Sequence, residues 1–162
     1  MTFVAGACAV SDIQHLGRLT KLRSLDLGGT QVAGHVNALA SLGNLEELWL
    51  GHTRINQVDG LSTLTRLTTL DLDHTSVSNV EALAMLVHLQ TLSLRWTHVG
   101  AVTALVGLVS LCELDLGGSP VEDVSSLSTL VNLRTLGLGN TFVSDVSALA
   151  TLVIRFDLQV HM

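Results

Sequence analysis

The chain has 162 residues, nearly half of them apolar, and a formal net charge of −6 with histidine neutral. Its length suits one domain, and its acidic balance argues against a surface for nucleic acid or anionic membrane, which needs clustered lysine and arginine. Tyrosine is absent and leucine is the dominant apolar residue, so we expect a core in which one packing environment repeats.

The first ten residues are apolar and lack the basic start that a signal peptide carries. Phe3 and Ala5 instead fit the strand positions of a repeat that continues through the chain. We therefore assign this segment to a first coil rather than to a remnant signal peptide. No stretch of about 18 or more uncharged apolar residues follows, so the sequence predicts no membrane-spanning segment.

A six-residue segment with leucine at its first, fourth and sixth positions recurs in fixed register. Its copies are Leu22–Leu27, Leu45–Leu50, Leu67–Leu72, Leu89–Leu94, Leu111–Leu116 and Leu133–Leu138. Successive copies start 22 residues apart, except that the first step is 23 because of an extra residue within Ala33-Gly34-His35. Side chains alternate along a strand, so the leucines at positions 4 and 6 share a buried face, and positions 3 and 5 face solvent.

Each copy is followed by a threonine or serine column and then by apolar residues three apart, as in Val80, Leu83 and Leu86. A spacing of three favours a 3₁₀ or short helical turn over a long α-helix. Polar pairs suited to helix N-capping precede these turns, namely Ser78-Asn79, Glu122-Asp123 and Ser144-Asp145. Leu158 and Val160 complete an eighth strand, with Arg155 where leucine is expected.

This pattern resembles the leucine-rich repeat family, whose motif is LxxLxLxxNxL, and its 22-residue length is similar to the subclass found in bacterial internalins and the regulatory subunit of protein phosphatase one. The resemblance implies an α/β solenoid, a right-handed horseshoe arc of about eight coils. A parallel β-sheet would form its concave face, and short 3₁₀ or helical turns and loops its convex face. Threonine stands in the asparagine column and has one hydroxyl donor, so we expect fewer bonds per turn.

We predict a single leucine-rich repeat domain over residues 1–162. Neither end has an obvious polar cap, which solenoids need for solubility, and open strand edges pair with other chains. From these ends we predict either that the chain is a piece of a longer protein or that it associates with itself end to end. Cys8 and Cys112 lie roughly 22 Å apart at about 4.7 Å per strand step, too far for a disulfide, and free thiols favour an intracellular location.

The middle coils carry the candidate binding residues on the strand face. Both tryptophans fall there at positions expected to face solvent, whereas the flanking coils have mainly glycine at equivalent positions. Exposed tryptophan and arginine among polar residues are typical of interface hot spots. The predicted partner-binding residues are Trp49, His52, Asp71, Asp73, His74, Arg95 and Trp96. In the simpler alternative, the two indoles only shield the strand backbone.

The family resemblance implies a protein-interaction module rather than an enzyme. Eight acidic side chains but three arginines take strand-face positions, which favours a partner with a basic surface, unless the acids form only a solvated face. No cofactor or catalytic residue is predicted, because acids such as Asp71 and Asp73 lie on an open sheet rather than in a pocket.

Two alternatives stay open at this point. The chain can be the recognition arm or spacer of a larger multidomain enzyme or regulator, whose chemistry lies elsewhere. It can also bind a small ligand or a metal at the central coils, because His52 and His74 fall at equivalent positions of adjacent coils near Asp73, and two histidines with a carboxylate suit zinc.

Overall fold

The chain forms a stack of coils, each with one short strand on one side and a 3₁₀ turn on the other. The computed structural model describes residues 1–6, 8–150 and 152. Its strands are β1 (Thr2–Val4), β2 (Ser24–Asp26), β3 (Ala33–His35), β4 (Glu47–Trp49), β5 (Arg54–Gln57), β6 (Thr69–Asp71), β7 (Thr91–Ser93), β8 (Glu113–Asp115) and β9 (Thr135–Gly137). Seven of them form one parallel sheet in the order β1-β2-β4-β6-β7-β8-β9. The predicted eighth strand, with Leu158 and Val160, lies outside the described residues.

The strand register keeps the leucine columns aligned through the stack. Leu48 pairs with Leu25 on one side and Leu70 on the other, and the pairing continues through Leu92 and Leu114. Each of these side chains is at most 1% exposed. Each coil therefore covers the apolar face of the next, which is how a solenoid builds a continuous core. The parallel sheet and the buried leucines confirm the predicted architecture.

Short 3₁₀ helices lie on the side opposite the sheet. They span Leu16–Arg18, Asn37–Leu39, Asp59–Thr63, Glu81–Met85, Thr103–Gly107, Ser125–Thr129 and Ser147–Leu149, which confirms the turns predicted from the spacing of three. None of the described helices is long and apolar enough to cross a membrane.

The polar pairs before these helices act as predicted, although through the residue ahead of the N-cap. Asn79 accepts a hydrogen bond from the Glu81 N–H at 2.8 Å. Asp123 accepts one from Ser125, and Asp145 one from Ser147, each at 2.7 Å. The N–H donors hold the pKa of the Asp123 and Asp145 carboxyls below its ordinary value.

The threonine column closes the turn after each strand. The hydroxyls of Thr30, Thr53, Thr75, Thr97 and Thr141 each donate to the carbonyl three residues earlier, at 2.6–2.8 Å. Ser119 instead donates across the stack to the Leu94 carbonyl at 2.6 Å and accepts from the Thr97 N–H at 3.2 Å. Each of these threonines therefore supplies one side-chain donation to its own turn, and the expectation of fewer bonds than asparagine would make stays a prediction.

A second, two-stranded sheet stands beside the main one, formed by β3 and β5. The register shifts between Gly34 and His35, within the three residues where the extra residue of the 23-residue coil falls. Gly34 absorbs the irregularity with a φ of +71°. The pairing was not predicted, since these residues do not alternate between apolar and polar.

Candidate binding face

The predicted partner-binding residues lie on or beside the concave sheet, at different depths. Trp96 is 46% exposed, and His52, His74 and Arg95 are also exposed. Asp71 and Asp73 are half-buried. Trp49 is half-buried as well, so the expectation of two solvent-facing indoles describes Trp96 better than Trp49.

Three of these residues form a stack of rings across adjacent coils, which we call the aromatic ladder (His52, His74 and Trp96). The imidazole centroids of His52 and His74 are 4.4 Å apart with an interplanar angle of 15°. The His74 and Trp96 centroids are 6.1 Å apart at 22°. At its far end the Trp96 indole lies against Gly118, where an added Cβ would overlap the ring. The ladder therefore has fixed neighbours on the concave side of three consecutive coils.

The backbone under the ladder is left-handed. His52, His74 and Trp96 have φ of 57°, 53° and 50°. The same turn position holds Gly29, Gly118 and Asn140 in other coils, with φ of 68°, 75° and 58°. Glycine and asparagine visit this region readily and histidine does so more often than most residues, whereas a bulky residue such as tryptophan there is an outlier. The middle coils thus place large rings where the fold itself favours small or polar residues.

The aspartates at strand position 5 are tied to the backbone. Asp26, Asp71 and Asp115 each accept a hydrogen bond from the N–H two residues later, at 2.8–2.9 Å. The Asp71 carboxylate fills the space above Gly51, where an added Cβ would lie 2.7 Å from its Oδ2. The Asp115 carboxylate lies over Gly137 in the same way. Each carboxylate is therefore held in place.

The centre of the face is acidic and polar. Burial raises the pKa of the Asp71 carboxyl, and the nearby charges of Asp73 and Asp26 raise it further. The Asp73 N–H and the charge of His52 act in the opposite direction. Asp73 accepts hydrogen bonds from the Ser93 hydroxyl and from the Arg95 N–H. Asp71 therefore lies where a positive charge would relieve repulsion.

Two hollows adjoin the ends of the aromatic ladder. The N-terminal hollow, of about 490 Å³, is lined by residues of β1, β2, β4 and β6 and the turns after them, including Asp26, Gly28, Trp49, Gly51, His52 and Asp71. The C-terminal hollow, of about 480 Å³, lies over β7, β8 and β9 and includes Arg95, Trp96, Glu113, Asp115, Gly137 and Asn140. Each hollow thus combines glycines, one tryptophan and two carboxylates. The sequence indicated the flanking glycines, but it did not indicate the hollows beside the tryptophans.

The proposed metal site has unsuitable geometry. The nitrogen lone pairs of an imidazole lie in the ring plane, and the planes of His52 and His74 are nearly parallel and stacked. Their nitrogens therefore do not converge on one point at zinc distances of about 2.0–2.1 Å. No group of three His, Cys, Asp or Glu side chains suited to an ion occurs among the described residues. Cys8 and Cys112 are both free, as predicted from their separation.

Comparisons with known proteins agree with this geometry. A family model described as leucine-rich repeats in two copies matches residues 43–84. Internalin C2 of Listeria monocytogenes is 32% identical with a TM-score of 0.92, over 96% of this chain and 70% of that one. The internalin inlF of the same organism is 25% identical with a TM-score of 0.74, over 92% of this chain and 51% of that one.

A more distant likeness concerns the fold alone. The leucine-rich repeat ectodomain of the Arabidopsis thaliana receptor kinase GASSHO1/SCHENGEN3 is 23% identical with a TM-score of 0.80, over 90% of this chain and 19% of that one. Its structure is a complex with Casparian strip integrity factor 2. No curated protein matches the chain in sequence. The chain spans about 70% of internalin C2 and about half of inlF.

Proposed function

This chain belongs to the leucine-rich repeat family, and from that premise we propose that residues 1–162 form one interaction module whose concave face binds a protein with a basic surface. Leucine-rich repeat proteins are generally binding modules rather than enzymes. The binding surface that we propose is the predicted set: Trp49, His52, Asp71, Asp73, His74, Arg95 and Trp96.

The observation that supports this proposal most is the aromatic ladder. A non-glycine residue in the left-handed region costs roughly 1–2 kcal/mol, and Gly29, Gly118 and Asn140 make the same turn without a large ring. Strained residues cluster at functional sites when the surrounding structure holds them in place. The ladder is also exposed and stacked, so little side-chain entropy is lost when a partner packs on it.

The charge of the face favours a basic partner. Two of its arginines are already paired within the chain, Arg23 with Glu46 at 2.6 Å and Arg95 with Asp115 at 3.5 Å. Asp26, Glu47, Asp71, Asp73 and Glu113 belong to neither of these ion pairs. Complementary charge acts mainly on association rate and docking register. We therefore expect the rate of binding to fall as the salt concentration rises.

The test is affinity capture from a lysate of the source organism, with the double variant His74→Asn/Trp96→Asn beside the wild type. Asparagine suits this backbone because Asn140 already occupies the equivalent position, so the variant keeps the turns and loses two of the three rings. The matched control is Met85→Asn/Val106→Asn, which removes two exposed apolar side chains from the 3₁₀ side.

We expect a protein that the wild type and the control retain and the ladder variant loses. Circular dichroism and thermal unfolding establish that all three chains are folded. Equal retention by all three chains would contradict the proposal, as would loss only in the control, which would place binding on the 3₁₀ side.

A further inference from the structure

The inference that follows rests on the proposed function and specifies the partner. We propose that the partner presents an extended segment across the strands, with two Lys or Arg side chains six residues apart, one for each hollow at the ends of the aromatic ladder. The hollows share two features that suit such side chains: an indole wall and carboxylates.

The N-terminal hollow carries the stronger charge argument. Its described lining contains Asp26 and Asp71 and has neither lysine nor arginine. Both carboxylates are half-buried, and each is held by a backbone N–H, so their positions are fixed. Trp49 pairs with Asp26 on one side and Asp71 on the other, so an entering ammonium or guanidinium would lie beside Asp26 at the edge of the indole. Its aliphatic stem would contact Trp49 and the exposed Val4, since long basic side chains bury their stems along apolar surface.

The C-terminal hollow repeats the arrangement with one difference. Glu113 is exposed and belongs to neither ion pair of the described residues, whereas Asp115 already pairs with Arg95 at 3.5 Å. The three charges sum to −1, so one more positive charge completes the balance. Trp96 forms a wall, and the Asp115 carboxylate lies over Gly137. The fit is to one basic side chain.

The distance between the hollows sets the spacing in the partner. Asp26 and Asp115 occupy equivalent positions on β2 and β8, which are four strand steps apart in the sheet. Four steps of about 4.8 Å give roughly 19 Å, and an extended chain rises about 3.3 Å per residue, so the two side chains lie about six residues apart. An even spacing also directs both side chains to the same side of an extended segment.

The test is selection from a random dodecapeptide library displayed on phage, with the whole chain as bait. We expect enrichment of Lys/Arg pairs at spacing six over pairs at spacings three and five, relative to the unselected library. For a selected peptide, Asp26→Asn and Glu113→Gln should each raise the Kd about tenfold, the loss of one hydrogen bond to a charged group. Glu81→Gln, which removes the same charge from the 3₁₀ side, should leave the Kd unchanged.

Tryptophan fluorescence reports each hollow separately, because the chain has two tryptophans and one lines each hollow. In Trp96→Phe the signal comes from Trp49, and in Trp49→Phe it comes from Trp96. A selected peptide should change the emission in both variants. Replacement of one basic residue of the peptide by glutamine should abolish the change in one variant and leave it in the other.

The outcomes separate this inference from the proposed function. Binders that depend on His74 and Trp96 but lack basic pairs at spacing six would overturn the inference and leave the proposed function standing. Acidic binders, self-association of the chain through this face, or no enrichment would also overturn the inference. Binders unaffected by the ladder variant and by both hollow variants would contradict both proposals.

Discussion

Gly118→Ala tests the aromatic ladder through stability alone. Gly118 has a φ of +75°, and an added Cβ would overlap the Trp96 indole. Alanine in the left-handed region costs about 1–2 kcal/mol, and displacing a packed ring costs about 1–3 kcal/mol more. We expect Gly118→Ala to lower the free energy of unfolding by roughly 2–5 kcal/mol, the sum of these two contributions.

Gly34→Ala is the matched control. Gly34 has a φ of +71°, and no atom lies within 4 Å of the added Cβ. Gly34→Ala should therefore lower the free energy of unfolding only by the backbone cost of about 1–2 kcal/mol. A double-mutant cycle then isolates the ring. In a Trp96→Ala background there is no indole to displace, so Gly118→Ala should cost no more than Gly34→Ala.

The assay is equilibrium unfolding in urea at pH 7, followed by far-ultraviolet circular dichroism. The cycle should give a coupling energy of about 1–3 kcal/mol between positions 96 and 118. Equal costs for Gly118→Ala and Gly34→Ala, with zero coupling to Trp96, would refute the placement of the indole against Gly118 and with it the ladder.

Three further changes test the core, the turns and the acidic centre by the same urea assay. Leu92→Ala removes a side chain that is 1% exposed and should cost about 2–5 kcal/mol, whereas Thr91→Ala on the solvent face should stay within about 0.5 kcal/mol; equal costs would contradict the register. Thr97→Val removes one of two hydroxyls that donate to the Leu94 carbonyl in a buried turn and should cost about 0.5–1.5 kcal/mol, because Ser119 still donates to that carbonyl; an unchanged midpoint would mean that this bond contributes nothing. The raised pKa of Asp71 means that the folded chain binds this proton more readily than the unfolded chain, so the ionised carboxylate destabilises the fold above that pKa. Asp71→Asn should therefore be more stable than the wild type at pH 7, with the difference closing as the pH falls through the pKa of Asp71; a constant difference across this range would contradict the cause.

Much of the fold could be predicted because one packing environment repeats. The leucine positions, the 3₁₀ turns and the parallel register all follow from a fixed period and from side-chain alternation. The pairing of β3 with β5 could not be predicted, since it depends on how Gly34 takes up one extra residue. The Asx-type hydrogen bonds of Asp123 and Asp145 were indicated in kind, but the capping position was one residue off because it depends on turn geometry.

The residues of the candidate site were chosen from the sequence and stay a prediction as a binding surface, and their geometry was not predicted. Glycine and asparagine at Gly29, Gly118 and Asn140 share a column with His52, His74 and Trp96, and these residue types tolerate a positive φ. The residue types in this column indicate left-handed turns. The stacking of the rings depends on distances between side chains, which the sequence does not give.

The hollows could not be predicted from the sequence either. Their linings include the carboxylates of Asp71 and Asp115, which lie over glycines of neighbouring coils. Such a contact depends on side-chain direction across strands, so repeat spacing does not reveal it. Asp26, Glu113 and Asn140 join the candidate surface for that reason, although the predicted set did not include them.

The central claim is that partners dock on the strand side of the stack, and site-specific photo-crosslinking to a captured partner tests it most directly. A benzophenone amino acid replaces Thr91, on β7 at the edge of the C-terminal hollow, or Val106, exposed on the 3₁₀ helix Thr103–Gly107. We expect crosslinked partner from position 91 and none from position 106. Crosslinks from position 106 with none from position 91 would contradict the claim.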